Sequence, residues 1–243
     1  MTTMTTLFTS ACLACLATAL TVATTGAADA APVDEAVEAT YTQVIDKRAD
    51  GVVKALDVQD AATAARAKSA LLAQYRALRA IHDARDARIA GLKSANAGDK
   101  ATLDAAVAAE RESAQQRLDA LNVALVTEVS TFLSPAQVES LKNALTYNVL
   151  PITMRGYEEM LPTLTSDQRA HILTLLTEAR EKAMTGGSSE EKHAWFGKYK
   201  GRINNYLSAQ GYDLKQANKD WAARRKAAQQ PSTTVTPGAQ PAR

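Results

Sequence analysis

The chain has 243 residues, of which 46% are hydrophobic and 22% are charged, and its formal net charge at pH 7 is +2. These proportions exclude a wholly disordered chain, which would be less apolar, and a membrane-embedded bundle, which would carry fewer charges. Alanine makes up about a fifth of the residues, whereas only 5% are aromatic, and glycine and proline number 11 and 7. Alanine costs the least free energy in a helix, and strands favour β-branched and aromatic side chains. The composition therefore excludes an all-β fold and predicts an all-α protein.

The N-terminus has the features of a secretory signal peptide. Residues 7–27 form an uncharged apolar run, and Ala28 and Ala30 place small residues at the two positions that a signal peptidase recognises. We therefore predict a signal peptide over residues 1–30, cleaved between Ala30 and Ala31. The predicted location of the mature protein is the periplasm or the extracellular medium, with no stable insertion into a membrane.

A membrane anchor and a lipoprotein signal are the alternatives for this segment. The apolar run is barely long enough to span a bilayer, is diluted by threonine and is followed by no basic stop. The lipoprotein alternative would attach lipid to Cys15, although Cys12 stands where an aliphatic residue is expected. Cleavage after Ala30 removes both cysteines, which excludes a thiol nucleophile, a thiolate metal site and a disulfide from the mature chain.

Helical periodicity divides the first half of the mature chain into three segments. Apolar residues recur at three- and four-residue intervals over residues 32–56, 61–94 and 100–132. Gly98 supplies a C-terminal cap and Asp99 an N-terminal cap between the second and third segments. Two helices of this length with so short a connection predict a long antiparallel helical hairpin.

Shorter helices are predicted in the second half of the chain. Each predicted start is a serine, threonine or aspartate with glutamine or glutamate three residues later, the pattern of a capping box. These pairs are Ser134 with Gln137, Thr165 with Gln168, Ser188 with Glu191 and Asp213 with Gln216. We predict that these helices form a bundle packed with the hairpin, as one all-helical domain over residues 31–228. The polar, proline-rich stretch 229–243 is predicted to be a disordered tail.

The most unusual segment covers residues 193–206, in which aromatic side chains are concentrated. Gly197 and Gly201 are four residues apart, and a glycine costs about 1 kcal/mol relative to alanine inside a helix. They predict a glycine strip, where a neighbouring helix or a ligand approaches the backbone closely. Aromatic, amide and cationic side chains around the strip are those that a saccharide or an anionic ligand uses, and a polar interface between helices is the alternative. The candidate ligand-binding residues of this segment are His193, Trp195, Tyr199, Lys200, Arg202, Asn204, Asn205 and Tyr206.

A second candidate cluster lies in the second predicted helix. His82, Arg85 and Asp86 share one helical face, and His82 and Arg85 stand where the seam of that helix would otherwise carry apolar residues. A buried histidine beside a carboxylate is suited to act as a general base or to respond to pH. An internal ion-pair network is the alternative. These three side chains complete the set of candidate ligand-binding residues.

The sequence lacks the motifs of several other chemistries. It contains no HExxH motif, no glycine-rich phosphate loop and no GxSxG motif, and three widely spaced histidines make a poor zinc site. We therefore expect neither a metal nor a cofactor, and we assign no catalytic residue. Residues 198–226 contain eight basic and two acidic side chains, a local positive charge for which an acidic polysaccharide, a lipid headgroup and solvation alone are the alternatives. Nucleic acid is not an expected partner outside the cytoplasm.

Three segments of the sequence are distinctive: IHDARDA (81–87), YNVLPITMRGYEEMLP (147–162) and SSEEKHAWFGKYKGRINNYLSAQGYDL (188–214). Together they resemble the bacterial secreted family catalogued as domain of unknown function 3826, over most of the chain from Tyr41 to Trp221. The resemblance implies a signal-bearing helical protein, often from bacteria that degrade plant polysaccharides, and it implies no established activity. LSPAQ (133–137) and LTSDQ (164–168) show a weaker similarity to the LTxxQ motifs of Spy-like periplasmic chaperones.

These patterns favour two classes of function. The first is a non-catalytic protein that binds a carbohydrate or an acidic glycan between the glycine strip and the His82 face, in connection with polysaccharide use. The second is an enzyme of polysaccharide breakdown that transfers protons through His82, Asp86 or His193. A Spy-like chaperone with a concave helical surface is a third alternative. Convergence of the two motifs in one polar pocket would favour the first two classes over the chaperone.

Overall fold

The computed structural model describes residues 35–95 and 98–229, and within those ranges the chain forms helices and no strand. The prediction of an all-α protein is confirmed. The predicted signal peptide, its cleavage site and residues 230–243 of the predicted tail lie outside the described residues. The helices of the described ranges are α1 (Glu35–Ala55), α2 (Ala61–Ala95), α3 (Lys100–Val129), α4 (Pro135–Leu145), α5 (Val149–Met160), α6 (Ser166–Ala183), α7 (Ser189–Ala209) and α8 (Leu214–Gln229).

Contacts divide the chain into two units between Ala39 and Thr40. Of the first unit the structure describes only residues 35–39, which begin α1. The second unit contains the remainder of α1 and all of the other described helices.

The long helices α2 and α3 pack against each other as the predicted hairpin. Asp99 caps α3, since its carboxylate accepts hydrogen bonds from the backbone N–H and the hydroxyl of Thr102 at 3.1 and 2.6 Å. The seam of α2 buries Leu71, Leu78 and Ile89, which lie at the helical spacing that the sequence predicts. The hairpin thereby presents one apolar face to the rest of the bundle.

The core consists of two hydrophobic clusters. The N-terminal cluster is built by α1 to α4 and includes the fully buried Leu71. The C-terminal cluster is built by α5 to α7, with α8 packed against it, and includes the buried Phe196. Helix α6 links the two clusters, because Ala183 belongs to the C-terminal cluster and the next residue, Met184, belongs to the N-terminal one.

Two of the four predicted capping boxes are complete. Ser134 accepts a hydrogen bond from the backbone of Gln137, whose side chain accepts one from the backbone of Ser134 in return. Thr165 and Gln168 make the same reciprocal pair at the start of α6. These short-range hydrogen bonds satisfy N–H groups that a helix leaves without intrahelical partners, which is why the sequence locates these helix starts so well.

The other two boxes are only half formed, which corrects the prediction. Ser188 caps α7 through the backbone N–H of Glu191 at 3.1 Å, but the Glu191 side chain accepts its hydrogen bond from Gly187 instead, at 2.7 Å. Asp213 caps α8 through the backbone of Gln216, whose side chain bonds elsewhere. The Glu191 side chain thus bonds to the residue before the one that a capping box requires, and this hydrogen bond attaches it to the connection between α6 and α7.

None of the described helices combines the length and the apolar character that crossing a bilayer requires.

Candidate functional site

A cleft of about 780 Å³ lies where α2, α3, the α6–α7 connection and the first turns of α7 meet. We call it the large cleft. A volume of this size is within the range of ligand sites. The residues that line it are His82, Arg85, Asp86, Ile89, Ala90, Lys93, Arg111, Ala114, Gln115, Leu118, Thr185, Gly186, Glu191, Ala194, Trp195 and Lys198.

His82 occupies a buried position in the seam of α2, as the sequence predicts. Its Nε2 lies 2.9 Å from the carbonyl oxygen of Thr185, and because a carbonyl only accepts, Nε2 carries the proton of this bond. Nδ1 is buried and has no hydrogen-bond partner among the described residues. The imidazole therefore anchors the α6–α7 connection to α2 and leaves one polar atom unused.

Arg85 organises the two carboxylates of the large cleft. Its Nε donates to Asp86 at 2.8 Å, and its Nη2 lies 3.9 Å from Glu191. The hydrogen bond between them is the main cause that raises the pKa of Arg85 and lowers the pKa of Asp86 from their usual values. At neutral pH the pair is thus charged on both sides, and Asp86 has no proton to donate as a general acid.

The α6–α7 connection is held against the hairpin by short polar contacts. Gln115 of α3 donates to the Thr185 hydroxyl at 3.3 Å and to Asp119 at 2.9 Å. Thr185 in turn donates to the carbonyl of Lys182 at 2.7 Å and is almost fully buried. Gly187 packs so closely on His82 that a Cβ atom there would lie 2.9 Å from the imidazole Cδ2. This connection therefore forms a fixed wall of the cleft.

Three cations of the large cleft have no carboxylate partner within ion-pair distance in the described part of the chain: Lys93, Arg111 and Lys198. Lys198 lies over the indole of Trp195, with its Nζ 5.2 Å from a ring centroid. Both carboxylates that line the cleft are already engaged by Arg85. The cleft consequently combines an aromatic face with surplus positive charge.

A second cavity has a volume of about 350 Å³, and His82 lines it as well as the large cleft. We call it the small cavity. Its lining includes Tyr41 and Arg48 from α1, Tyr75 from α2, Tyr147 between α4 and α5, and Lys192 from α7. It shares His82, Arg85, Asp86, Gly186 and Glu191 with the large cleft, so the two cavities are adjacent.

Lys192 is the buried cation of the small cavity, with only 8% of its surface exposed. Its Nζ donates to the carbonyl oxygen of Leu145, the last residue of α4, at 2.8 Å. Burial, with a smaller contribution from the charge of Arg48, lowers the pKa of Lys192 to about 8. Burial also raises the pKa of Tyr75 to about 12.

Four of the predicted site residues converge in the large cleft: His82, Arg85 and Asp86 from α2 and Trp195 from α7. His193 lies outside it and stacks on Tyr147, with ring centroids 5.5 Å apart. The two motifs singled out in the sequence therefore meet, but only through the first turns of α7.

The C-terminal half of the α7 motif lies elsewhere. Tyr199 is buried in the C-terminal cluster, and Arg202 covers its ring at 4.7 Å while pairing with Glu178 at 3.3 Å. The remaining predicted residues of this half contact other helices or solvent. Asn204 accepts a hydrogen bond from Tyr157 at 2.8 Å, Tyr206 packs on His171 with centroids 4.1 Å apart, and Lys200 and Asn205 are exposed.

The prediction that a neighbouring helix approaches the backbone at Gly197 and Gly201 is wrong. Gly197 and Gly201 are exposed, and a Cβ atom at either position would meet nothing within 4 Å. The helical interval placed them correctly on one face, but that face points to solvent. The close backbone approach occurs instead at Gly186 and Gly187, in the α6–α7 connection.

The sequence interpretation missed the α3 side of the large cleft, which is Arg111 and Gln115, and also Lys93 of α2. The predicted hairpin already contained the information needed to find the α3 residues. An antiparallel hairpin brings together residues that are equally distant from its connection, so α3 residues near 111–115 face those near His82 and Arg85. The described residues contain no group of three histidine, cysteine, aspartate or glutamate side chains placed to hold a metal ion.

Comparison with models of protein families shows which family this chain is similar to. The model of the family described as "Protein of unknown function (DUF3826)" matches residues 42–227. The chain belongs to this family. The DUF3826 match runs from α1 to α8 and contains every residue that lines the large cleft. A search of curated proteins found no match to the chain.

Arg202→Ala is expected to lower the free energy of unfolding by less than about 1 kcal/mol. The Arg202–Glu178 pair is half-exposed on both sides, and exposed ion pairs contribute little. Urea unfolding measures the free energy of unfolding of Arg202→Ala. The control is Lys200→Ala, at an exposed position on the same helix. A loss above about 2 kcal/mol would contradict the expectation and make Arg202 a structural anchor of the C-terminal cluster.

Proposed function

We propose that this DUF3826 protein is a non-catalytic binding protein for an acidic saccharide, and that the saccharide occupies the large cleft. The observation that carries the proposal is the surplus of unpaired cations beside an exposed part of an indole ring. Lys93, Arg111 and Lys198 are free to pair with carboxylate or sulfate groups, and Trp195 offers the apolar face on which a sugar ring packs.

The contacts of the proton-transfer candidates favour binding over hydrolysis. Asp86 is held in its ionised form by Arg85, and His193 stacks on Tyr147 outside the cleft. His82 uses Nε2 to hold the Thr185 carbonyl. These three residues therefore do not form a donor–acceptor pair across the cleft, as acid–base hydrolysis of a glycosidic bond requires.

A Spy-like chaperone is the least supported of the three proposals. A surface that receives unfolded segments is apolar, whereas the large cleft carries four basic and two acidic side chains around Trp195. Charge of this density favours a charged, polar ligand.

Trisaccharides of uronic acids and of sulfated sugars are the probes that test the proposal. The experiment uses the Trp221→Phe variant, in which Trp195 is the single tryptophan. The fluorescence of Trp195 then reports directly on the large cleft. We expect at least one acidic trisaccharide to change the Trp195 fluorescence, with an affinity that falls as salt rises. The uncharged match is the methyl ester for a uronic acid and the unsulfated form for a sulfated sugar, and it is expected to bind at least about tenfold more weakly.

Arg111→Ala and Trp195→Ala are the variants that locate the binding. Each is expected to weaken binding of the acidic trisaccharide about tenfold or more, measured by calorimetry, because each removes a direct ligand contact. Lys219→Ala on α8 is the matched control, since it removes an exposed lysine that does not line the cleft. Equal affinities in all three variants, or no binding of any acidic trisaccharide at millimolar concentration, would overturn the proposal.

A further inference from the structure

The charges of the small cavity are not balanced within the described residues. Its three carboxylates are already engaged, because Asp83 pairs with Arg79 at 3.4 Å, and Asp86 and Glu191 flank Arg85. Arg48 and Lys192 have no carboxylate within 4 Å in the described part of the chain. Two cations thus line one small cavity without a counter-charge.

Lys192 has unused hydrogen-bonding capacity in this place. An ammonium group has three donors, and one of them goes to the Leu145 carbonyl. A buried ammonium whose charge is not paired is unfavourable, and this cost is the reason for its lowered pKa. An anion that entered the cavity would supply the missing charge and accept the remaining hydrogen bonds.

The backbone is strained at the point beside the cavity where an aromatic ring lies over Lys192. Tyr147 and Asn148 both adopt left-handed backbone angles, with φ of 58° and 55°. Tyrosine rarely takes this conformation, because its Cβ then approaches the neighbouring carbonyl oxygen. The Tyr147 ring centroid lies 5.8 Å from Lys192 Nζ, and His193 stacks on the same ring. Strain of this kind is concentrated at ligand sites.

We propose that the small cavity is a second ligand site, which takes one small molecule through a carboxylate or phosphate group held between Lys192 and Arg48. A volume of about 350 Å³ suits a molecule of the size of a monosaccharide and is too small for an oligosaccharide. The site is adjacent to the large cleft but uses different cations, so it does not depend on the acidic saccharide proposed there.

Galacturonate, galactose 1-phosphate and galactose are the probes that test this site by calorimetry and NMR chemical-shift titration. They share one sugar ring and differ in carrying a carboxylate, a phosphate or no charge. We expect one or both of the anionic probes to bind and galactose not to bind. The anion that binds with the higher affinity shows whether the site takes a carboxylate or a phosphate.

Lys192→Met and Arg48→Gln locate the binding in the small cavity. Methionine keeps an apolar stem in the buried position while removing the charge, and Arg48 is exposed, so its replacement spares the core. Each variant is expected to weaken binding of the anionic probe at least about tenfold. Lys200→Met, an exposed lysine on the same helix, is expected to bind like the unmodified protein.

The same variants separate this proposal from the one for the large cleft. Arg111→Ala is expected to leave binding of the small anion unchanged, and Lys192→Met is expected to leave binding of the acidic trisaccharide unchanged. The small-cavity proposal is overturned if neither anion binds at millimolar concentration, or if Lys192→Met and Arg48→Gln both retain full affinity.

Discussion

Gly187→Ala is expected to lower the free energy of unfolding by about 1–3 kcal/mol, the usual cost of overpacking. The new Cβ atom would lie 2.9 Å from His82 Cδ2, closer than packed carbon atoms approach. The imidazole cannot retreat without lengthening its 2.9 Å bond to the Thr185 carbonyl. Urea unfolding measures the loss. Gly201→Ala is the matched control and is expected to be neutral or up to about 1 kcal/mol stabilising, because its Cβ atom meets open space inside a helix.

A double-mutant cycle with His82→Ala identifies the source of this effect. Removal of the imidazole leaves room for the new methyl group, so Gly187→Ala is expected to cost much less in the His82→Ala background. Additive losses in the double variant would show that the clash with His82 is not the cause. A Gly187→Ala protein as stable as the unmodified one would contradict the tight packing of the α6–α7 connection.

The Lys192→Met variant is expected to gain stability relative to the unmodified protein at pH 7 and to lose that advantage as the pH rises to 10.5. Lys192 titrates at about 8 when folded and at its ordinary 10.5 when unfolded, so between these values the unfolded chain binds more protons. The contribution of Lys192 to the stability of the unmodified protein therefore rises with pH across this window. The fall of this pKa from 10.5 to about 8 corresponds to about 3 kcal/mol, from which the loss of the bond to Leu145 subtracts about 1 kcal/mol in the variant.

Urea unfolding of the two proteins at pH 7 and pH 10.5 measures this difference. Tyr75, the buried tyrosine of the same cavity, has a pKa of about 12 when folded, and its effect on unfolding is common to both proteins and cancels in their difference. Lys200→Met is the control, and its difference from the unmodified protein is expected to stay constant between the two pH values. A constant difference for Lys192→Met as well would show that its ammonium is not destabilised by burial.

The helices were predictable because their signals are local. Ser134 and Thr165 satisfy N–H groups only three residues away, and the seam of α2 follows from a single periodicity. The same periodicity placed His82 in the buried seam, since a polar residue at an apolar position stands out in the sequence. Signals of this kind depend on one helix and its ends, and they need no knowledge of the neighbouring helices.

The candidate site was only partly predictable because it depends on which helices meet. A helical wheel groups Gly197 with Gly201, but it does not say whether that face meets another helix or solvent. Lys192 follows two glutamates in the sequence and looks like a surface lysine, but it is buried because the end of α4 packs over it. Arg111 lacks any distinctive sequence context, and it joins the cleft only through the register of the hairpin.

The division of the core into two clusters has a consequence for the way in which the protein opens. Clusters that share few apolar contacts unfold as separate cooperative units, and amide hydrogen exchange resolves such units by their different opening free energies. Helix α7 supplies Trp195 to the large cleft and Lys192 to the small cavity, and it belongs to the C-terminal cluster. Helix α2 lines both cavities and belongs to the N-terminal cluster. An opening of the C-terminal cluster alone would widen both cavities while the hairpin stayed folded. Ligand entry would then depend on the opening of one half of the bundle, the half that α7 belongs to.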